Sequence, residues 1–172
     1  MNIVVATFTY SPNIDGVAIA ARLMVTNLVA AGHKVSVATG HLDGIPYEEK
    51  IDGHTIRRFS VLDNGKVNVD EEDSYINFLK NPKNDLIIFH CWQSWPTDSA
   101  LKRIGEIKVR KIMVSHGYAT HIFNKHPVFP WGIYSWLKRI PRVLALPRDL
   151  KAFDLVVFLS NKRDFGRFFD AW

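Results

Sequence analysis

Residues 2–40 read NIVVATFTYSPNIDGVAIAARLMVTNLVAAGHKVSVATG, and this stretch predicts a strand, a loop, a helix and a second strand. β-Branched residues favour the strands, and turn formers separate the first strand from a helix rich in Ala, Leu and Val. A parallel β-α-β unit directs its first loop to the crevice at the carboxyl ends of the strands, where such folds bind ligands. The sequence therefore predicts a functional site beside residues 11–16. The four elements are residues 2–8, 9–16, 17–31 and 34–39.

Strands and helices alternate along the rest of the chain. Continuous apolar runs such as LIIFH and LVVFL are typical of strands buried on both faces. The pattern predicts an α/β fold, a Rossmann-like three-layer sandwich with a mostly parallel sheet. The predicted strands are 55–61, 86–90, 111–115 and 155–159, the predicted helices are 74–80, 96–105, 131–150 and 161–172, and residues 40–53 and 116–130 are predicted connections. Pro141 and Pro147 are expected to interrupt the third of these helices, because proline removes a backbone donor and clashes with the preceding turn.

Length and composition fit one domain over residues 1–172. The chain is 47% hydrophobic and 23% charged, which is ordinary for a globular protein. No apolar run reaches the roughly 18 residues of a membrane span, and no secretory signal is present. The single cysteine, Cys91, excludes an internal disulfide and fits a reducing compartment. We therefore expect a cytoplasmic location.

Charge is unevenly distributed between the two parts of the chain. Residues 1–101 carry 8 basic and 12 acidic residues (net −4), whereas residues 102–172 carry 14 and 5 (net +9). A basic half attracts phosphate, nucleic acid or anionic lipid, but it is also typical of a solvated face. Residues 136–148 place basic side chains among Trp, Leu, Ile and Val, a pattern that favours peripheral contact with an anionic membrane, although two prolines weaken a continuous amphipathic helix.

Several common chemistries have no support in the sequence. No P-loop, H-E-x-x-H, paired C-x-x-C or G-x-S-x-G motif is present. The opening loop has one glycine rather than G-x-G-x-x-G, and residues 39–41 (TGH) lack the acidic residue that holds a dinucleotide ribose. We therefore expect neither a metal nor a bound cofactor.

Polar residues at predicted strand ends mark the candidate site. Gly16 precedes the first helix, whose free N–H groups and dipole favour a phosphate, although a plain turn glycine has the same pattern. His90 and His116 end adjacent strands, so both should meet at the same crevice, and Gly117 follows the second. One histidine at such a place is often only a hydrogen-bonded core residue, but two of them, with a glycine beside one, favour a site. His116 could donate to a phosphate or a sugar hydroxyl or transfer a proton. A metal held by the two histidines lacks a third ligand.

Aromatic residues crowd the loops after these two strands. Aromatic faces stack on sugar rings, and they also pack beneath long loops. For any one of them, ordinary packing is the better interpretation. The set comprises Trp92, Trp95, Tyr118, Phe123, Phe129, Trp131, Tyr134 and Trp136.

The chain resembles the N-terminal domain of the GT-B-fold glycosyltransferases, especially the retaining family four. Residues 8–40 look like the family's opening strand, Pro…Gly-Gly loop, helix and Gly-His-x-Val strand. Residues 84–101 (NDLIIFHCWQSWPTDSAL) resemble its Asp-hydrophobic-His strand and the following helix. Residues 109–119 (VRKIMVSHGYA) resemble its strand followed by His-Gly. The segments IDGHTIRRF (51–59) and AFDLVVFLSNKRDF (152–165) are similar to its third strand and to the strand before its second domain.

The resemblance implies a role for individual residues. Asp15 and Gly16 match the loop that approaches the donor phosphates, and His116 matches the active-site histidine, the expected catalytic residue. Asp15 departs from the pattern because the family has glycine there, and a carboxylate sits poorly beside a pyrophosphate. The residues expected to line the cleft or bind the acceptor are His90, Trp92, Gly117, Tyr118 and His121.

The resemblance also implies the reaction. A sugar would pass from a nucleotide-activated donor to a glycan or lipid acceptor with retention of configuration and without a metal or cofactor. This chain would be the acceptor-side domain, inactive alone, and the nucleotide-sugar domain would be absent from residues 1–172. No nucleic-acid partner is expected from this function. Two alternatives remain at this point: a non-catalytic sugar-binding module, and a nucleic-acid or anionic-membrane binder that uses the basic second half.

Overall fold

The computed structural model describes residues 1–62, 67–117 and 140–159. Within these ranges, seven strands form one sheet and helices cover its faces. The strands are β1 (Asn2–Ala6), β2 (Lys34–Gly40), β3 (Glu48–Ile51), β4 (His54–Phe59), β5 (Leu86–His90), β6 (Arg110–Ser115) and β7 (Leu155–Phe158). The helices are α1 (Gly16–Ala30), α2 (Val69–Leu79), α3 (Trp95–Lys102) and α4 (Ile140–Leu150), and a 3-10 turn spans Ile104–Glu106.

The strand order is β3-β4-β2-β1-β5-β6-β7, and every neighbouring pair except β3–β4 is parallel. The chain builds the sheet outward from β1 in one direction and then returns to add β5 on the other side of β1. Ligands in such sheets bind at the carboxyl ends of the strands, where the order reverses. In this fold, that place lies at the carboxyl ends of β1 and β5.

Alternation along the strands divides the core into two layers. On one face, Ile3, Val5 and Val37 pack with α1 through Ala21 and Val25. On the other face, a second cluster holds α2, α3 and α4 against the sheet. This cluster includes Val4, Ala6, Phe89, Tyr75, Trp95, Met113 and Leu146. The predicted three-layer α/β sandwich with a mostly parallel sheet is confirmed.

The predicted connection over residues 40–53 is wrong in part, because it contains β3. β3 and β4 form an antiparallel hairpin in which Ile51 pairs with His54, so residues 52–53 alone make the turn. Asp52 and Gly53 have φ angles of 46° and 78°, as a tight two-residue hairpin turn requires. Glycine meets this requirement without strain.

The helix predictions need three corrections. α2 begins at Val69 rather than at residue 74, and α3 ends at Lys102 and is followed by the 3-10 turn. Pro147 does not interrupt α4, which continues to Leu150. Buried Leu146 anchors α4 to the core, and such packing contributes more to helix stability than local propensity does. The predictions for residues 118–139 and 160–172 lie outside the described residues.

A buried arginine ties the opening loop to β4. Arg58 is 2% exposed, and its guanidinium donates to the Pro46 carbonyl at 2.9 Å and to the Ser11 carbonyl at 3.2 Å. It also forms an ion pair with Glu49 of β3. The buried hydroxyl of Tyr10 lies 3.1 Å from His54 Nε2, which adds a second link to β4. The loop over residues 10–15 is therefore fixed from the β4 side.

We expect Arg58→Met to lower the free energy of unfolding by about 2 kcal/mol, because it leaves two part-buried carbonyls and a carboxylate without their donor. Urea unfolding of the chain measures this change. The matched control is Arg148→Met, because the Arg148 side chain is 80% exposed and forms an ion pair with the neighbouring Asp149. That variant should change stability by less than about 0.5 kcal/mol. Equal effects of the two substitutions would contradict the role given to Arg58.

Candidate functional site

A crevice of about 730 Å³ lies at the carboxyl ends of the strands. Its walls come from the segment after β1, the end of β2, the segment after β5 and the segment after β6. Phe8, Asn13, Gly40, Trp92, His116 and Gly117 are among the residues that line it. The predicted location of the site beside the opening loop therefore coincides with a real concavity at the reversal of strand order.

The start of α1 carries its own anionic cap. The Asp15 carboxylate accepts hydrogen bonds from the N–H groups of Val17 at 2.9 Å and Ala18 at 3.0 Å, and from the Thr9 hydroxyl at 3.1 Å. Desolvation raises the pKa of Asp15, but the bonds from Ala18, Thr9 and Val17 outweigh it and leave the pKa below its ordinary value. Asp15 is therefore charged at neutral pH and already uses two donors that a phosphate at this helix end would need.

Gly16 is the first residue of α1 rather than a loop residue. A Cβ placed there would meet no atom within 4 Å, so the free protein does not require glycine for packing. Asn13 and Val17, on either side of Asp15 and Gly16, line the crevice. The assignment of Asp15 and Gly16 to a donor-phosphate loop stays a prediction, and the cap makes a direct contact between this helix end and a phosphate less favourable.

Replacement of the cap should show how far Asp15 supports the loop. We expect Asp15→Ala to lower the free energy of unfolding by about 1 kcal/mol, because Val17 and Ala18 lose their acceptor. Asp15→Asn keeps an oxygen in place and should cost only a few tenths of a kcal/mol. Chemical denaturation of both variants measures the difference. A cost for Asn as large as that for Ala would show that charge, and not capping, is what α1 requires.

The two strand-end histidines form a contact pair. His90 Nδ1 lies 3.1 Å from His116 Nε2, and the ring centroids are 5.3 Å apart. Alternation along β5 places the His90 ring on the face that α1 covers, and His90 Nε2 lies 3.4 Å from the sulfur of Met24 in α1. The predicted convergence of His90 and His116 is confirmed. His90 is 1% exposed and lies beneath the crevice, whereas His116 lines it.

Burial keeps His90 neutral at physiological pH. Desolvation, followed by the nearby His116, lowers the pKa of His90 from 6.5 to about 4. The unfolded chain therefore takes up a proton at this residue at a higher pH than the folded chain does. Stability must then fall as the pH falls from about 6.5 to about 4, because the proton favours the unfolded state.

We expect the contribution of His90 to this loss to reach at most about 3 kcal/mol at pH 4, from a pKa difference of about 2.5 units. The measurement is the free energy of unfolding as a function of pH for the wild type and for His90→Phe. The Phe variant keeps a ring but cannot take up a proton, so its stability should change less between pH 6.5 and 4. Parallel pH profiles for the two proteins would contradict a buried neutral His90.

The segment after β5 is held in an unusual backbone conformation. Cys91 and Gln93 have φ angles of 71° and 53°, which side chains with a Cβ rarely adopt. Two hydrogen bonds stabilise this conformation, because the Cys91 carbonyl accepts from the hydroxyls of Ser94 at 3.0 Å and Thr97 at 2.7 Å. Burial, and secondarily Asp15, raises the pKa of the Cys91 thiol to about 12. Cys91 is thus a thiol at neutral pH and not an activated nucleophile.

The predicted cleft residues differ in how they meet the crevice. Trp92 lines it but is 5% exposed and packs edge-on against Phe153, so most of its ring belongs to the core. Gly117 also lines it; its φ is 107°, which glycine adopts readily, and its N–H donates to the Ser115 hydroxyl at 3.1 Å. Tyr118 and His121 lie outside the described residues.

Three features of the site were not predicted. Met24 contacts His90, which lies 66 positions away in the sequence. The apolar face of α1 is the one sequence signal that could have indicated this contact. Asp98 of α3 and Arg142 of α4 form an ion pair with a 2.6 Å contact at the crevice. A second cavity of about 910 Å³ lies between α3 and α4 and shares Asp98 and Arg142 with the crevice. Half of its lining residues are apolar, such as Leu101 and Ile104, and the other half are polar or charged.

The described residues offer hydrogen-bonding groups rather than metal ligands. Among residues 1–62, 67–117 and 140–159, no three His, Cys, Asp or Glu side chains are grouped so as to hold a metal ion. In the same ranges, no helix has the length and hydrophobicity needed to span a bilayer. The crevice presents the His116 imidazole and aromatic side chains such as Phe8 and Trp92 to a ligand.

Comparison of the sequence with protein families identifies its class. Residues 14–162 match Glycosyltransferase Family 4. Because the match covers most of the 172 residues, the chain belongs to glycosyltransferase family 4, as the resemblance of its motifs predicted. No curated protein matches the sequence.

Two solved structures share the fold at low identity. An α-glucosyltransferase in complex with UDP and a 13-mer DNA containing a central A:G mismatch is 14% identical, with a TM-score of 0.54 over 96% of this chain and 39% of that one. Sucrose-phosphate synthase from Thermosynechococcus elongatus is 12% identical, with a TM-score of 0.56 over 95% of this chain and 49% of that one. The chain thus spans less than half the length of either enzyme. The likeness confirms the predicted relation to one half of a GT-B fold.

Proposed function

We propose that this chain is the acceptor-side domain of a retaining glycosyltransferase that takes its sugar from a nucleotide-activated donor. The observation that carries the proposal is the position of His116, which lines the crevice at the reversal of strand order and contacts buried His90. Family membership supports the reaction class. The UDP in the related α-glucosyltransferase supports a nucleoside diphosphate as the leaving group.

The proposed mechanism is electrostatic. Departure of a nucleoside diphosphate places negative charge on the oxygen that leaves the sugar, and donors fixed near that oxygen lower the barrier. His116 is the group of this chain that can donate to the donor sugar or its phosphate. No cofactor takes part, and the nucleotide sugar is a substrate. Retention of configuration belongs to this proposal as well.

Asp15 sets a condition on donor binding. Its carboxylate is ionised and caps α1, so a pyrophosphate that approached the helix end would meet a like charge. Cationic groups outside this domain would then have to supply most of the phosphate binding. This requirement agrees with a division of labour in which a second domain binds the nucleotide and the present chain alone has little or no activity.

The acceptor would lie in the crevice and extend toward α3 and α4. The second cavity shares Asp98 and Arg142 with the crevice and is lined in equal numbers by apolar residues and by polar or charged ones, which suits an acceptor with an apolar part and a polar head, such as a lipid-linked glycan. Such an acceptor implies a cytoplasmic enzyme that works at the inner membrane face.

A non-catalytic sugar-binding module is the second candidate. The observation in its favour is again Asp15, because a helix end that is already capped by a carboxylate is a poor phosphate site while the aromatic wall remains suited to a neutral sugar. Such a module would bind sugars without any need for a donor.

We expect His116→Ala to lower the rate of sugar transfer by about 100-fold without unfolding the protein, because it removes a positioned donor. Transfer is measured with nucleotide sugars and lipid-linked or free acceptors, in the longest natural polypeptide that carries these residues. Gly16→Val should also lower the rate, since its side chain enters space that is open in the free chain. The matched control is His33→Ala. His33 lies between α1 and β2, at the amino end of β2 and therefore at the end of the sheet opposite to the crevice.

Normal transfer by both His116→Ala and Gly16→Val would overturn the proposal. Calorimetric binding of a sugar by the wild type, with no transfer from any nucleotide sugar, would favour the binding module instead.

A further inference from the structure

Buried His90 is contacted at both ring nitrogens. On one side, its Nε2 lies 3.4 Å from the Met24 sulfur, and on the other, its Nδ1 lies 3.1 Å from His116 Nε2. Ile88, two positions before His90, and Val114, its partner in β6, belong to the core layer that packs against α1. A neutral imidazole has one N–H and one lone pair, so the two contacts must use different roles.

The thioether decides which nitrogen carries the proton. Sulfur in methionine is an acceptor and never a donor, so the contact with Met24 is a hydrogen bond only when His90 Nε2 is protonated. Nδ1 of the neutral ring then holds the lone pair. It accepts a hydrogen bond from His116 Nε2, which must therefore carry a proton in this contact.

We propose that Met24 and His90 are positioning residues that fix the tautomer and ring orientation of His116. Met24 holds the proton of His90 on Nε2, and His90 in turn holds a proton of His116 on Nε2. The neutral form of His116 then carries its lone pair on Nδ1, so His116 donates to the donor sugar or its phosphate only after a second proton has entered there. The proton arrangement stands on the geometry alone, while its effect on sugar transfer rests on the proposed function of His116.

Two consequences distinguish this chain of contacts from simple packing. Replacement of Met24 by leucine removes the sulfur but keeps the space filled. His90 should then carry its proton on either of its two ring nitrogens. A substitution that removes the Nδ1 lone pair of His90 should leave the His116 ring without a fixed orientation. A substitution that places another acceptor at the position of Nδ1 should keep the His116 ring in place. Asparagine offers such an acceptor, because its side-chain oxygen occupies nearly the position of histidine Nδ1, and phenylalanine keeps the ring without any acceptor.

The first experiment is ¹⁵N NMR of the histidine rings in the full 172-residue chain at pH 7.5. We expect protonated Nε2 on both His90 and His116 and a coupling across the hydrogen bond between His116 Nε2 and His90 Nδ1. Met24→Leu should give His90 a mixture of the two tautomers. The matched control is Met113→Leu, a fully buried methionine on the opposite face of the sheet, which should leave these signals unchanged. A proton on His90 Nδ1 in the wild type, or identical spectra for Met24→Leu and the wild type, would overturn the proposal.

The second experiment measures transfer in the longest natural polypeptide that carries these residues. His90→Phe should lower kcat at least 10-fold and change KM less than threefold, and His90→Asn should keep kcat within threefold of the wild type. Equal losses in the two variants would overturn the positioning role. If the NMR result holds and neither His90→Phe nor His116→Ala affects transfer, the proton arrangement is supported and the proposed function of His116 fails.

Discussion

The reversal of strand order beside β1 is the constraint on which the site depends. β1 pairs with β2 on one side and with β5 on the other, and the helices that follow β1 and β5 cover opposite faces of the sheet. The segments after these two strands must therefore diverge above the sheet. A crevice opens between them as a consequence of topology, and residues such as His116 and Trp92 only determine what it can hold.

The two walls of this crevice are held by different means. Side chains of β4 fix the wall after β1, because buried Arg58 bonds the Ser11 carbonyl and His54 contacts the Tyr10 hydroxyl. Local backbone chemistry fixes the wall after β5, where the Cys91 carbonyl accepts two hydroxyl hydrogen bonds. Both walls are therefore set before any ligand arrives, which lowers the cost of ordering a site around a substrate.

The features that could be predicted from the sequence are those that depend on local patterns of residues. Apolar runs such as residues 86–90 predicted the parallel strands, and the strand-end positions of His90 and His116 were sufficient to predict that they meet. β3 was missed because its four residues are mostly charged, although Asp52-Gly53 is a turn pair typical of a hairpin. The Met24 contact could not be predicted, because its partner lies 66 positions away and only the packing of α1 on the sheet brings them together.

The short strand β3 has a further consequence for how the protein behaves among other proteins. An open edge of a sheet presents unpaired backbone groups on which another chain can add a strand. β3 occupies that edge next to β4 with three charged residues in four, EEK, and its Glu49 is paired with Arg58. A foreign strand could not add there without desolvating these charges. The same hairpin that braces the opening loop through Arg58 thus also protects this edge of the sheet against aggregation.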